Sequence, residues 1–262
     1  MRRCVAVGAT LAGLVALAGC TSGGQAGTHA APSGSPLPSS IRPTSPAPTP
    51  TPAHRQHHAP PPTRTTQAPA TAAAPFRWRS TTVTAAALGR SWHSGCPVGP
   101  SALRALSLSI WGFDGRAHSG TLIVNASYVS AYVSAFRAIY AARFPIRQMQ
   151  PVAAFGGNDN KSMAADNTSA FNCRYAVSDG PKHWSMHAYG QAVDIDPLEN
   201  PYQLNGKVLP PAGARYTNRS DVRPGMIVPG SAPVDAFTAV RWGWGGSWGS
   251  SPDYQHFSSN GG

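Results

Sequence analysis

His187 and Asp194 lie seven residues apart with Gly190 between them, and a second polar cluster, Asp253-Tyr254-Gln255-His256, follows roughly sixty residues later. On a continuous strand, two residues seven apart face opposite sides. For these side chains to meet, the chain must turn near Gly190, where glycine adopts the required backbone angles at little cost. A distant segment must then fold back to deliver His256. Two imidazoles and one carboxylate make three N/O donors, the set a catalytic zinc takes when a fourth position is left for water. Asp253, three residues before His256, neighbours it on a helical turn or tight loop. One side chain can then point at the metal and the other at its water. The sequence holds a single glutamate, Glu199, so the general base is read as an aspartate, Asp253, with Asp196 as its rival. Asp196 shares the face of Asp194 on an alternating strand over 192–196, where a structural role is equally open to it.

The rest of the chain is not of one kind. All ten acidic residues lie between Asp114 and Asp253, and the first 75 residues contain no Asp or Glu. Arg2 and Arg3 precede an apolar run from Val5 to Ala18, which is too short to span a bilayer. Leu17-Ala18-Gly19-Cys20 resembles a bacterial lipobox, so residues 1–19 are read as a lipoprotein signal peptide and Cys20 as the lipidated residue. Residues 20–75 are rich in Pro, Ser, Thr and Ala and nearly free of large apolar side chains. Such a stretch cannot bury enough surface to offset its ordering entropy, so it is expected to be a disordered tether. The 55 residues 21–75 reach about 40 Å as a flexible coil and about 170 Å as polyproline II. Residues 76–262 remain as the folded domain, long enough for a core of its own.

Cysteine usage fits an exported domain. Cys4 leaves with the signal and Cys20 carries lipid, so Cys96 and Cys173 remain as an even pair in an oxidising compartment and are expected to form a disulfide. Net charge is +11, yet from Ser80 onward 14 basic residues face 10 acidic ones, a net of +4. The excess is not clustered, which excludes the basic face that nucleic-acid binding needs. A mildly cationic exported protein suits an anionic cell envelope.

Along the domain, Thr121–Val124 reads as a strand. The spacing of Val129, Tyr132, Val133, Phe136, Ile139 and Tyr140 predicts a helix over 127–143, stopped by Phe144-Pro145. Residues 146–152 and 192–196 are read as strands, 156–170 as loop, 200–223 as irregular, and 235–241 as a short helix ending at Trp242-Gly243. Gly245-Gly246-Ser247-Trp248-Gly249 fits the nucleophile-elbow pattern. Gly249 and Pro252 prevent the helix an elbow requires, however, and partners six to nine residues on cannot return to it.

Ser185-x-His187-x-x-Gly190-x-Ala192-x-Asp194 together with Asp253-x-x-His256-Phe257 resembles the VanY-type zinc D-alanyl-D-alanine carboxypeptidases and L-alanyl-D-glutamate endopeptidases. The run Trp242-Gly243-Trp244-Gly245-Gly246-Ser247-Trp248 adds to the likeness, which extends over about Phe144 to Phe257, with a catalytic core of about 144–258. The resemblance implies an α+β fold: a small antiparallel sheet carrying the zinc site, with helices packed on one face. It implies His187, Asp194 and His256 as ligands of Zn2+, Asp253 as base, and Arg174 as the group that holds substrate or developing negative charge. The family shows its arginine in a different motif further upstream, whereas Arg174 stands only 13 residues before His187. Ser185 and Trp244 are the further expected substrate contacts, although the tryptophans of this segment could equally pack in the core. The expected function is hydrolysis of peptide bonds in peptidoglycan stem peptides by a monomer held to the outer face of the bacterial membrane through Cys20. A non-catalytic wall-binding module that keeps a structural zinc is the alternative.

Overall fold

The computed structural model describes residues 74–178 and 180–262. The signal segment 1–19, Cys20 and nearly all of the 20–75 tether lie outside the described residues. In chain order the elements are β1 (Trp78–Thr82), α1 (Ala85–Leu88), β2 (Leu103–Trp111), β3 (Ala117–Asn125), α2 (Val129–Ala141), α3 (Asp159–Ala164), β4 (Ala192–Asp194), β5 (Tyr202–Leu204), β6 (Lys207–Leu209), α4 (Ala232–Ala239), β7 (Gly243–Trp244) and β8 (His256–Ser258). Short 3₁₀ turns join several of them. The α+β expectation, with small antiparallel sheets, is borne out.

Two three-stranded antiparallel sheets organise the domain, one in the order β1-β2-β3 and the other in the order β4-β8-β7. On β2, Leu106, Leu108 and Ile110 alternate into the core, as a half-buried strand requires. Residues 121–124 form the middle of β3. The expected helix is α2, and Tyr132, Val133, Phe136, Ile139 and Tyr140 bury one stripe of it. The helix ends at Ala141, and Arg143 leaves with φ 55° just before Phe144-Pro145. A non-glycine residue there breaks the helical geometry.

The two sheets share one core through aromatic contacts. Phe136 of α2 meets Phe237 of α4 edge-on at 5.9 Å, and Phe237 stacks on Phe257 of β8 at 4.5 Å. Burying a phenylalanine such as Phe237 contributes about 2 kcal/mol relative to leaving it exposed. Val193 pairs with Phe257 and Asp194 with His256 in the β4–β8 register. Because side chains alternate across a strand, Val193 and Phe257 face the helices while Asp194 and His256 face the other way. This alternation sets the site on the side of the sheet away from α2 and α4.

Three expectations are corrected. Residues 146–152 are not a strand: they pair only through isolated bridges such as Met149 with Thr168. Thr121 N–H donates to Met149 O at 2.9 Å, but Pro151 has no N–H to continue a ladder. Residues 156–170 contain α3, whose Asn158 side chain accepts from Lys161 N–H at 3.0 Å as an N-cap. Residues 202–209 are not irregular but form the β5–β6 hairpin, with Asn205 (φ 50°) and Gly206 (φ 73°) at its tip. Asn-Gly is the sequence that favours the tight turn of such hairpins.

Cys96 and Cys173 are joined, with Cα atoms 5.8 Å apart and a sequence separation of 77. The bridge ties the segment before β2 to the residue preceding Arg174, and Cys173 N–H also donates to Ser91 O at 2.9 Å. Closing a loop of that length removes about 4 kcal/mol of freedom from the unfolded chain. Replacing both cysteines by alanine is therefore expected to lower unfolding free energy by about that amount. Denaturant titration with and without reductant measures it, and an unchanged midpoint in the double variant refutes it.

Candidate metal centre

The first ligand segment is a 3₁₀ turn over Met186–Tyr189. Ser185 caps it, its hydroxyl accepting from His187 N–H at 3.2 Å. Gly190 ends it in the left-handed region at φ 67°, and a Cβ there would come within 2.7 Å of Asn125 N. Both the backbone angle and the close approach to β3 thus call for glycine. Asn125 N–H donates to Gly190 O and Asn125 Nδ2 donates to Tyr189 O, so the end of β3 holds the turn. The chain then enters β4, whose last residue is Asp194.

His187 Nδ1 lies 2.5 Å from Ala170 O. A carbonyl can only accept, so Nδ1 donates to it and Nε2 is the nitrogen left to meet a metal. His187 Nε2 lies 3.2 Å from Asp194 Oδ2 and 3.2 Å from His256 Nδ1, while His256 Nδ1 lies 3.1 Å from Asp194 Oδ1. All three residues are buried. Donors bonded at 2.0–2.1 Å to a tetrahedral ion stand about 3.3 Å apart. The three observed separations match that spacing, and among the described residues this is a group that could hold a metal ion. Burial pushes the Asp194 carboxyl up, but the charges and hydrogen bonds of His187 and His256 overcome it and hold the group well below the ordinary carboxylate range. Asp194 is therefore a carboxylate, as a ligand must be. A second group, His93, Cys96 and Cys173, is also close enough for metal binding, but its two sulfurs are joined to each other.

The three donor side chains open on a cavity of about 490 Å3 that Asp253 and Arg174 also line. Asp253 sits in a tight turn, with its N–H donating to Gly245 O and its own carbonyl accepting from His256 N–H at 3.3 Å. Its Oδ1 is buried and has no partner. Burial, and then the Asp194 charge, push its carboxyl up to about 7, against the opposing pull of His256, Gln255 and Arg174. Arg174 Nε lies 2.8 Å from Asp159 Oδ2, and its guanidinium reaches within 4.0 Å of Asp194 Oδ2. Burial would lower the Arg174 pKa, but the charges of Asp159 and Asp194 raise it, so the group stays charged.

The rival bases stand elsewhere. Asp196 and Glu199 do not line the cavity. Asp196 Oδ1 accepts from Arg147 N–H at 2.9 Å, and Glu199 Oε1 accepts from Tyr216 OH at 3.0 Å. With Asp166 they form a buried acidic group that braces the chain between 147 and 199. Burial, together with the hydrogen bond and charge of Glu199, pushes the Asp166 carboxyl from 3.8 up to about 7, against Leu198 N–H and Arg147. A carboxyl raised on folding contributes stability that is complete below its unfolded pKa and is lost as pH rises through the folded one. Thermal stability is thus expected to decline between pH 4 and pH 7, and Asp166→Asn to flatten that decline. Equal pH slopes in the two proteins would contradict it.

Ser185 lines the cavity while its hydroxyl caps the His187 turn. Trp244, expected at the substrate cleft, is not part of the lining. Its indole packs against Phe257 and donates from Nε1 to Tyr254 O at 2.9 Å, bracing the turn that carries Asp253 and His256. The aromatic from this segment that reaches the cavity is Trp248, 5.4 Å from the His256 ring. Asp159 and the β5–β6 hairpin also line the cavity and were not foreseen. The Asn205-Gly206 pair was a readable signal for the hairpin. No sequence pattern ties Asp159 to Arg174.

A buried three-donor group with a carboxyl beside it that keeps one oxygen free, in one cavity, is an arrangement suited to metal-assisted hydrolysis. Residues 178–259 match the family model described as D-alanyl-D-alanine carboxypeptidase, a segment that includes both ligand motifs and the tryptophan-rich run. The resemblance to the VanY-like peptidases is thereby supported over that segment. No curated protein and no solved structure matches the chain.

Proposed function

We propose that this chain is a zinc peptidase that hydrolyses peptide bonds in peptidoglycan stem peptides, as a D-Ala-D-Ala carboxypeptidase or an L-Ala-D-Glu endopeptidase. The observation that carries the reading is the convergence of His187, Asp194 and His256 within 3.2 Å of one another, in a cavity that also holds Asp253. The family match over 178–259 supports a peptidoglycan-acting metallopeptidase in general. A zinc held by the three ligands would supply Lewis acidity, lowering the pKa of bound water and polarising the scissile carbonyl. Asp253 would take the proton of the attacking water at its free Oδ1 and pass it to the leaving amine. Arg174, kept charged by Asp159, would hold a substrate carboxylate or the oxyanion that develops during attack. In the same reading, residues 1–19 are removed, Cys20 is lipidated, and the 20–75 tether lets a monomeric domain reach the wall from the outer face of the membrane.

The test is digestion of purified muropeptides by the wild-type chain and by His187→Ala, with products identified by mass and metal content measured in parallel. Release of a terminal D-alanine identifies a carboxypeptidase, and cleavage after L-alanine an endopeptidase. Stoichiometric metal without any cleavage would favour the wall-binding module instead. Wild-type protein that holds no metal would overturn both readings.

A further inference from the structure

We propose that Lys207 is a specificity-determining residue that selects stem peptides in which the acidic residue bears a free carboxylate. The inference rests on the peptidase reading above and extends it to substrate class.

Lys207 opens β6, directly after the Asn205-Gly206 tip, and lines the cavity together with Leu204 and Leu209 of the same hairpin. The facing segment contributes Val177 and Trp184, so this part of the cleft is largely apolar. Of the lysine and arginine side chains in the lining, one stands outside the ion pairs of the described residues; Asp253, whose Oδ1 also lacks a partner, is the proposed base. Asp194 belongs to the ligand group, and Arg174 is ion-paired with Asp159. Among the described residues, Lys207 takes part in no ion pair. An ammonium beside an apolar wall, without a partner of its own, is a receptor for an anionic group brought by a ligand.

Its placement is fixed relative to the chemistry. Tyr202 of β5 forms a bridge with Asp253, and Gln203 N–H donates to Pro252 O at 2.9 Å. The hairpin is therefore bonded to the turn that presents the proposed base. The tight tip passes that registration to Lys207, which stands opposite Leu204. A carboxylate held by Lys207 would therefore be held at a set place relative to Asp253. Because Lys207 is solvent-exposed in the free protein, it pays little desolvation before substrate arrives. The expected gain is accordingly that of an exposed charge pair.

The experiment compares two synthetic stem peptides that differ only in the acidic residue, as free carboxylate or as carboxamide. For the wild-type holoenzyme, kcat/KM is expected to favour the carboxylate peptide by about fivefold at low ionic strength, with the preference shrinking as salt is added. Lys207→Met is expected to bring the ratio close to one, Lys207→Arg to keep it, and Lys207→Glu to invert it. A ratio unchanged in Lys207→Met, or an equal loss on both peptides, overturns the proposal while leaving the peptidase reading intact. A wild-type holoenzyme that cleaves neither peptide nor any muropeptide overturns both.

Discussion

Asp253→Ala is expected to keep its metal and to lose turnover by a factor on the order of 10² or more. The cavity offers few candidates for a base. Asp194 is tied to both imidazoles, and Asp159 is tied to Arg174 at 2.8 Å. Of the carboxyls that line the cavity, Asp253 presents a buried oxygen without a partner; Asp196 and Glu199 also have one each, but neither lines the cavity. Removing it touches none of the three donors, so the metal should remain. Asp196→Asn and Glu199→Gln serve as contrasts, since those carboxyls hold Arg147 N–H and Tyr216 OH outside the cavity. They should alter unfolding temperature more than rate. Steady-state kinetics on a defined stem peptide, with metal content measured for each variant, decides the matter. Near-wild-type activity in Asp253→Ala would remove it from the role.

The second large effect concerns Arg174. Arg174→Lys keeps the charge but loses the planar fork that matches a carboxylate or an oxyanion. Loss of one such donor typically lowers kcat by about 10²–10³. Unfolding temperature should change far less, because a lysine can still neutralise Asp159. The other arginines of the 215–223 segment are committed elsewhere. Arg219 donates to Glu199 O at 2.8 Å and to Ile227 O at 2.6 Å, and Arg223 is paired with Asp221 at 3.1 Å. Arg215 lies over the Tyr216 ring, and none of the three lines the cavity. Full activity in Arg174→Lys, measured beside its unfolding curve, would show that substrate is held without Arg174.

The convergence of His187, Asp194 and His256 was legible because metal ligation demands particular side chains, and Gly190 between His187 and Asp194 told where the chain must turn. The helix over Val129–Ala141 was legible for a similar reason: one apolar stripe at spacings of three and four admits no other regular structure. Residues 146–152 misled because an apolar extended segment can be buried through single backbone bonds instead of a ladder. The β5–β6 hairpin was hidden by the prolines around it, although Asn205-Gly206 marked its tip. Trp244 and Trp248 could not be separated by type. Trp244 ends a strand whose neighbour Phe257 draws it into the core, whereas Trp248 follows the Gly245–Ser247 turn, which points it at His256. The Asp159–Arg174 pair was invisible because α3 brings together residues that share no periodicity.

The pairing of Asp194 with His256 across β4 and β8 has a consequence for how an ion would be acquired under the proposed reading. The two residues are 62 positions apart, and either strand alone carries only part of the donor set. A chain that is unfolded in denaturant presents scattered side chains that would grip a metal weakly. Capture must wait until the ends of that long loop have met and the two short strands have found their register. The last strand pairing and the arrival of the ion would then be one event. Refolding in the presence of a strong chelator should yield a domain with its α2 core assembled and β8 poorly held. Adding the metal should protect the amides of β4 and β8 from hydrogen exchange before those of any other element.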